Sequence, residues 1–272
     1  MPPQGTVRSC ILMSLQGKTA FVTGASRGIG RAICLSLAES GANIVAAART
    51  EPVPGTVKET AAMVEALGRR ALPIELNVTD EDAVEHAIAQ TIETFGGLDL
   101  LVNNAGTNML GAVQEIDSKR WELVMKVNAL GPFLCAKYAI PALPRDGTAH
   151  ILNISSIRAV QPRVDSSAYC ASKAALEALT MVLARELHDE AICVNAIRLE
   201  GTVATPGTTE LLSLPLAPER MWPAEIMGEA AAYVCRRRFP FTGQVRTIKS
   251  LRRHVPRINE ILSNHPSTEA VI

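Results

Sequence analysis

Seven short apolar runs rich in β-branched residues, at 19–23, 43–48, 71–76, 98–102, 150–154, 192–197 and 245–248, alternate with stretches of helical apolar spacing. Those stretches cover 30–40, 57–67, 81–95, 118–142, 167–188 and 224–236. Start and stop signals support them, such as Thr79-Asp80 before the third and Gly41 or Gly68 after the first two. Strand following helix along a whole chain leaves few solutions, because each crossover must return the chain to the same edge of one sheet. The pattern predicts an α/β, doubly wound fold, a parallel sheet of about seven strands with helices on both faces. No Pro/Gly/Ser-rich linker or charge block divides the chain. We therefore expect a single domain over 15–251, with an extension at 1–14 and a tail at 252–272.

Sites in such sheets lie outside the carboxyl ends of the strands. After the first strand comes Thr23-Gly24-Ala25-Ser26-Arg27-Gly28-Ile29-Gly30, a glycine turn that lets a pyrophosphate approach a helix N-terminus. After the second comes Ala48-Arg49, where a dinucleotide site selecting NAD commonly has an acid. With the acid missing and Arg27 and Arg49 flanking its place, the sequence favours the 2′-phosphate of NADP(H). The competing reading takes both arginines as solvated loop charges. Farther along, Tyr169 and Lys173 stand four residues apart on one face of a predicted helix, Ser155 and Ser156 ending the strand before it. An ammonium beside a phenol favours the phenolate and makes an acid–base group of a tyrosine.

These motifs, with Asn103-Asn104-Ala105-Gly106 and Val194-Asn195-Ala196-Ile197, resemble the short-chain dehydrogenase/reductase family, which has the Rossmann fold; the likeness runs over about 15–248. The long second crossover and the run before Ser155 are similar to the branch of hydroxysteroid-dehydrogenase-like proteins. The resemblance implies that Ser156 binds the substrate oxygen, Tyr169 gives or takes the proton, and Lys173 lowers the Tyr169 pKa and binds the nicotinamide ribose. It implies that Asn128 holds a water in the proton relay; the alternative has Asn128 satisfying a helix irregularity. Cofactor contacts are implied for Gly24, Ser26, Arg27, Gly28, Ile29, Gly30, Arg49, Asn77, Val78, Asn104, Ala105, Gly106, Val203 and Thr205, besides Tyr169 and Lys173. Two departures stand out. Asn77 replaces an aspartate that contacts the adenine amine, and Leu199-Glu200-Gly201 replaces Pro-Gly.

Twenty-seven basic and 27 acidic residues give no overall field for nucleic acid or an anionic membrane. The five histidines show no ligand spacing, so no metal is expected, and the six scattered cysteines suit a reducing compartment. With neither a secretory leader nor a membrane span in the reading, a cytoplasmic location is expected. The segment 202–222 reads as a substrate lid whose Leu211, Leu212, Leu214, Leu216, Met221 and Trp222 line an apolar pocket; the alternative is that they pack against the rest of the protein. Arg158, Arg163 and Arg198 are candidates to receive an acidic group on the substrate; the alternative is solvated charges, with Arg198 paired to Glu200. The sequence thus points to an NADP(H)-dependent carbonyl reductase or alcohol dehydrogenase acting on an apolar ketone, aldehyde or alcohol. The alternatives are an NAD-dependent alcohol dehydrogenase and a non-catalytic dinucleotide sensor. A homodimer or homotetramer is implied by the resemblance, through helices 118–142 and 167–188.

Overall fold

The computed structural model describes residues 12–49, 55–205 and 221–265. Its strands are β1 (Thr19–Thr23), β2 (Asn43–Ala48), β3 (Ala71–Glu75), β4 (Leu100–Asn103), β5 (His150–Ser156), β6 (Cys193–Leu199) and β7 (Val245–Thr247). They form one parallel sheet in the order β3-β2-β1-β4-β5-β6-β7. The helices are α1 (Gly28–Glu39), α2 (Val57–Ala66), α3 (Glu81–Phe95), α4 (Ser118–Met125), α5 (Gly131–Ala139), α6 (Ser167–Glu186), α7 (Glu225–Cys235), α8 (Ile248–Leu251) and α9 (Pro256–Ser263). The single-domain, doubly wound reading therefore holds. Its topological switch lies between β1 and β4, where successive crossovers leave in opposite directions and open a crevice.

Strand periodicity sorts the core into two layers. Ala20, Val22, Ile44, Ala46, Leu100, Val102, Leu152 and Ile154 face α1 and α7. Phe21, Val45, Ala47, Leu101 and Ile151 face α3, α5 and α6. Alternate residues of one strand thus serve opposite layers, as the pleat requires. Both faces being covered explains why these strands read as continuous apolar runs. Helices α1 and α7 pack closely at Gly228, where a Cβ would meet the Ser36 hydroxyl and stand 2.6 Å from the Ala32 carbonyl oxygen. Gly228→Ala is expected to destabilise the protein by about 1–3 kcal/mol through overpacking, read from the midpoint of chemical denaturation.

Two regions differ from the sequence expectation. The predicted helix at 118–142 is not uniform: α4 passes through a π-helical turn, Lys126–Leu130, into α5 and a last 3-10 turn, Ile140–Ala142. Pro132 supplies a reason, having no N–H to donate to the Asn128 carbonyl four residues back. Gly131 supplies a second, since a side chain there would press on Val78 at 2.8 Å. This stretch, Ser118–Ala142, is also long and apolar enough by composition to cross a membrane, which the sequence reading passed over. Here α5 instead buries Leu134, Cys135, Ala136 and Ala139 in the sheet's second layer. Beyond Arg252, where the sequence offered no element, α9 inserts Ile258 and Leu262, both fully buried, beneath α7.

Candidate active site

At the carboxyl edge, the turn after β1 is shaped by what its glycines avoid. Gly24 has φ +65°, and a Cβ there would stand 2.8 Å from the Ala105 Cα. At Gly30 a Cβ would collide with the Gly24 carbonyl oxygen and stand 2.6 Å from the Asn104 amide nitrogen. Only glycine permits this approach of α1 to its own turn. The turn is bolted to β4 by Thr23, whose Oγ1 donates to Val102 O (3.3 Å) and accepts from the N–H groups of Asn104 and Ala105, both at 3.0 Å. The Asn104 amide donates back to Thr23 O (2.9 Å) and Gly24 O (3.1 Å). From behind, Arg31 donates to Ser26 O at 2.6 Å and Thr60 to Ala25 O at 2.8 Å. Side chains hold the loop, so the first N–H groups of α1 face the crevice without a side-chain cap.

That crevice has a volume of about 250 Å³. It is lined by Gly24, Ser26, Arg27, Gly28, Ile29 and Gly30 from the turn, and by Arg49 after β2. Asn77 and Val78 after β3, Asn104, Ala105 and Gly106 after β4, and Thr205 complete the wall. The structure thus brings together every residue assigned to the cofactor except Val203, Tyr169 and Lys173. Ala48, Leu76, Thr107 and Val127 also line it without having been assigned; Leu76 and Thr107 were legible as the positions flanking strand ends already chosen. The glycine cradle, which a single Cβ would fill, fits a pyrophosphate, and Arg27 and Arg49 line the crevice with Ala48, where an acid is missing. At Asn77, in the place of the family's aspartate, an amide oxygen can still accept from an adenine amine, though more weakly than a carboxylate. The Asn77 Oδ1 accepts from the Thr79 N–H (3.2 Å) and hydroxyl (3.0 Å), so the oxygen expected to meet an adenine amine is already engaged.

The proton-handling candidates gather beyond Gly106. Ser156 ends β5 and is buried; its Oγ accepts from the Arg158 N–H at 3.3 Å. Tyr169 lies in the first turn of α6 and Lys173 one turn later, its Nζ donating to Ile154 O at 2.8 Å. Asn128 is fully buried in the π-turn, with Oδ1 accepting from the Thr107 N–H and Nδ2 donating to Thr107 O, both at 2.8 Å. The same Nδ2 donates to Ser172 Oγ at 3.0 Å, and Ser172 in turn donates to Tyr169 O at 2.9 Å. The side chain of Asn128 is therefore a clamp between the β4 loop and α6. A Cβ on Gly106 would stand 3.4 Å from Asn128 Oδ1 and 3.8 Å from Lys173 Nζ, so crevice and catalytic candidates meet at this glycine.

Burial lowers the Lys173 pKa to about 8, with the Glu177 carboxylate opposing the shift. Desolvation raises the Tyr169 pKa above the ordinary tyrosine value, and the Ser156 hydroxyl and the Arg158 charge pull it down. Lys173 Nζ donates to Ile154 O and stands 5.7 Å from the Tyr169 ring centre.

Ser155, the other serine, donates to Glu177 Oε1 of α6 at 2.7 Å. Arg198 closes on the same carboxylate, Nε to Oε1 at 2.9 Å and Nη2 to Oε2 at 2.6 Å. Its partner is thus Glu177 rather than Glu200, whose Oε2 accepts from the Lys249 N–H. A forked, largely buried pair of this kind removes Arg198 from the candidates for substrate binding. After β6, Gly201 lies flat against the Trp222 indole, where a Cβ would stand 2.7 Å from the ring. Trp222 also pairs with Val203 and is buried, as is Met221. Both belong to the packed base of the 202–222 segment rather than to a pocket wall. Leu211, Leu212, Leu214 and Leu216 lie outside the described residues.

Residues 18–213 match the family model described as short chain dehydrogenase. The chain belongs to this family. Among curated members, human hydroxysteroid dehydrogenase-like protein 2 is 38% identical over 235 residues, covering 84% of this chain and 56% of that protein. The chain thus spans little more than half the length of these relatives. A dehydrogenase/reductase from Sinorhizobium meliloti 1021 superposes with a TM-score of 0.76 at 33% identity, covering 86% of this chain and 94% of the other. A short chain dehydrogenase from Burkholderia cenocepacia J2315, solved in complex with NADP, gives 0.77 at 32% identity over 86% and 96%. The family is one of oxidoreductases that bind a nicotinamide dinucleotide, and the curated relatives support the hydroxysteroid-dehydrogenase-like branch read from the sequence. Among the described residues no group of three His, Cys, Asp or Glu is placed to hold a metal.

Proposed function

We propose that the protein interconverts a carbonyl and an alcohol with NADP(H), using Ser156, Tyr169 and Lys173 with Asn128 as support. The observation supporting this reading is that Asn128 and Lys173 approach the crevice at Gly106 while Ser156 and Lys173 stand beside Tyr169. When bound, the cofactor supplies the hydride. Ser156 holds the substrate oxygen, and Tyr169, protonated at neutral pH because burial keeps its pKa high, gives that oxygen a proton as charge develops on it. Lys173, buried and fixed on Ile154 O, orients the nicotinamide end and passes the replacement proton toward Tyr169. The Asn128 carbonyl, denied its α-helical donor by Pro132, is the acceptor for a relay water, while the Asn128 side chain keeps the turn in register with α6. A sensor would need the glycine turn but not this set of groups.

Arg27 and Arg49 support NADP(H) over NAD(H), because a guanidinium pairs with a 2′-phosphate in a way that a ribose hydroxyl cannot match. The test is consumption of NADPH and NADH by the purified protein over a panel of ketones and aldehydes, acidic members included. Turnover with NADPH preferred is expected; cofactor binding without turnover of any member would move the protein to the sensor reading. At Asn77, the engaged Oδ1 leaves only the NH₂ group for the base. Asn77→Asp would keep one oxygen on Thr79 and offer a second to the adenine amine. Cofactor binding is then expected to tighten by about tenfold, read by fluorescence titration.

A further inference from the structure

Of the three cations that the sequence brings near the reacting edge, Arg198 is neutralised by Glu177, and Arg163 lies exposed on the outer loop. Arg158 is neither. It sits in the 3-10 turn Ile157–Ala159 directly after β5, part-buried, and its backbone N–H bonds the Ser156 hydroxyl. Its guanidinium makes one hydrogen bond, Nη1 to Gln161 O at 3.3 Å within the same loop, and meets no carboxylate among the described residues. A guanidinium has up to five donors, so this one keeps most of its donors and its charge available to a ligand. The loop that carries it is braced against the opposite wall of the site by the Gly111–Ser166 bridge and by the Gly111 N–H donating to Asp165 O at 2.9 Å.

We propose that Arg158 is a substrate-recognition residue, and that the substrate is an oxo acid, or the corresponding hydroxy acid, whose carboxylate pairs with it. This rests on the hydride-transfer reading above and narrows its substrate class. A carbonyl oxygen held between Ser156 and Tyr169 and a carboxylate on a residue two positions from Ser156 belong to one small molecule with few bonds between the two groups. The same positive charge reaches the Tyr169 hydroxyl and lowers its pKa, so it acts on the proton donor and on the substrate from one place.

The test uses the full chain loaded with NADP(H). Turnover is compared for 2-, 3-, 4- and 5-oxo carboxylates and their methyl esters, and calorimetry compares hexanoate with hexanamide on the NADP⁺-loaded protein. The acid is expected to exceed its ester in kcat/KM by about tenfold to hundredfold, as a charge-assisted pair would give. Arg158→Gln should erase that preference mainly through KM, and erase the binding difference between hexanoate and hexanamide; Arg158→Lys should restore part of both. Esters turned over as well as acids, or an acid preference that survives Arg158→Gln, would overturn the proposal while leaving the reaction standing. Hexanoate binding lost in Arg158→Gln, with no carbonyl turned over at all, would keep the anion site and discard the reaction.

Discussion

Tyr169→Phe is expected to lower kcat by about 10²–10⁴-fold with little change in the binding of the dinucleotide or in stability. The substitution removes one oxygen from a part-buried residue in the first turn of α6. The backbone at that point is secured independently, by Ser172 Oγ donating to Tyr169 O at 2.9 Å and by Asn128 behind Ser172. The hydroxyl itself is desolvated and protonated in the free protein, its pKa raised by burial and moderated by Ser156 and Arg158. The reduction direction therefore finds its acid in place throughout the neutral range, and the oxidation direction, which needs the phenolate, should gain with rising pH. Single-turnover reduction with NADPH checks the first statement and the opposing pH profiles check the second. A variant retaining more than about a tenth of wild-type kcat would assign the proton to another group. Lys173→Ala would be a poorer test, because it leaves the Ile154 carbonyl without a donor in the core and mixes folding with chemistry.

Much of this arrangement was legible because it depends on local rules. Continuous apolar runs placed all seven strands, and the rule that sites lie beyond the strands' carboxyl ends selected the loops whose residues line the crevice. What escaped depends on contacts between distant segments. Nothing in the neighbourhood of Arg198 points to Glu177, a residue on α6 that reaches β5 and β6 together and also engages Ser155. The break in the helix around Asn128 was legible in Gly131-Pro132, yet apolar spacing on both sides masked it, since a π-turn shifts phase by one residue without interrupting the pattern. For Trp222 and Met221 composition left two readings, pocket wall or packed core, and their burial decides for packing. Their burial follows from Gly201, whose missing side chain makes room for the indole. The Tyr169–Lys173 spacing was correct for proximity, and what sequence does not reveal is how far burial raises the Tyr169 pKa and lowers that of Lys173, since distant segments supply the cover.

His150 makes acid sensitivity a property of the fold itself. At the start of β5 its ring is fully buried, and Nε2 approaches Arg237 O at 2.6 Å. A carbonyl only accepts, so Nε2 must carry the proton, and Nδ1 faces no partner. Adding a second proton would bury a charged N–H without an acceptor. Burial accordingly pushes the pKa down to about 4 from 6.5, with the Arg237 carbonyl opposing the shift. In the unfolded chain the same imidazole takes up a proton below about 6.5. The unfolded state therefore binds more protons between roughly pH 6.5 and 4, and stability contributed by the neutral ring is present above that window and lost as pH falls through it. Between pH 7.5 and 4.5 the loss from this one residue is expected to be about 2–3 kcal/mol. His150→Gln, which keeps a donor for Arg237 O and cannot titrate, should be less stable at pH 7.5 but flatter with pH. The carboxylates, such as Asp146 with its pKa lowered by the Thr148 hydroxyl, add their own acid dependence to both proteins. The difference between the two urea-denaturation profiles therefore isolates the histidine. Parallel profiles from pH 7.5 to 4.5 would mean that the ring finds an acceptor for its second proton inside the folded protein.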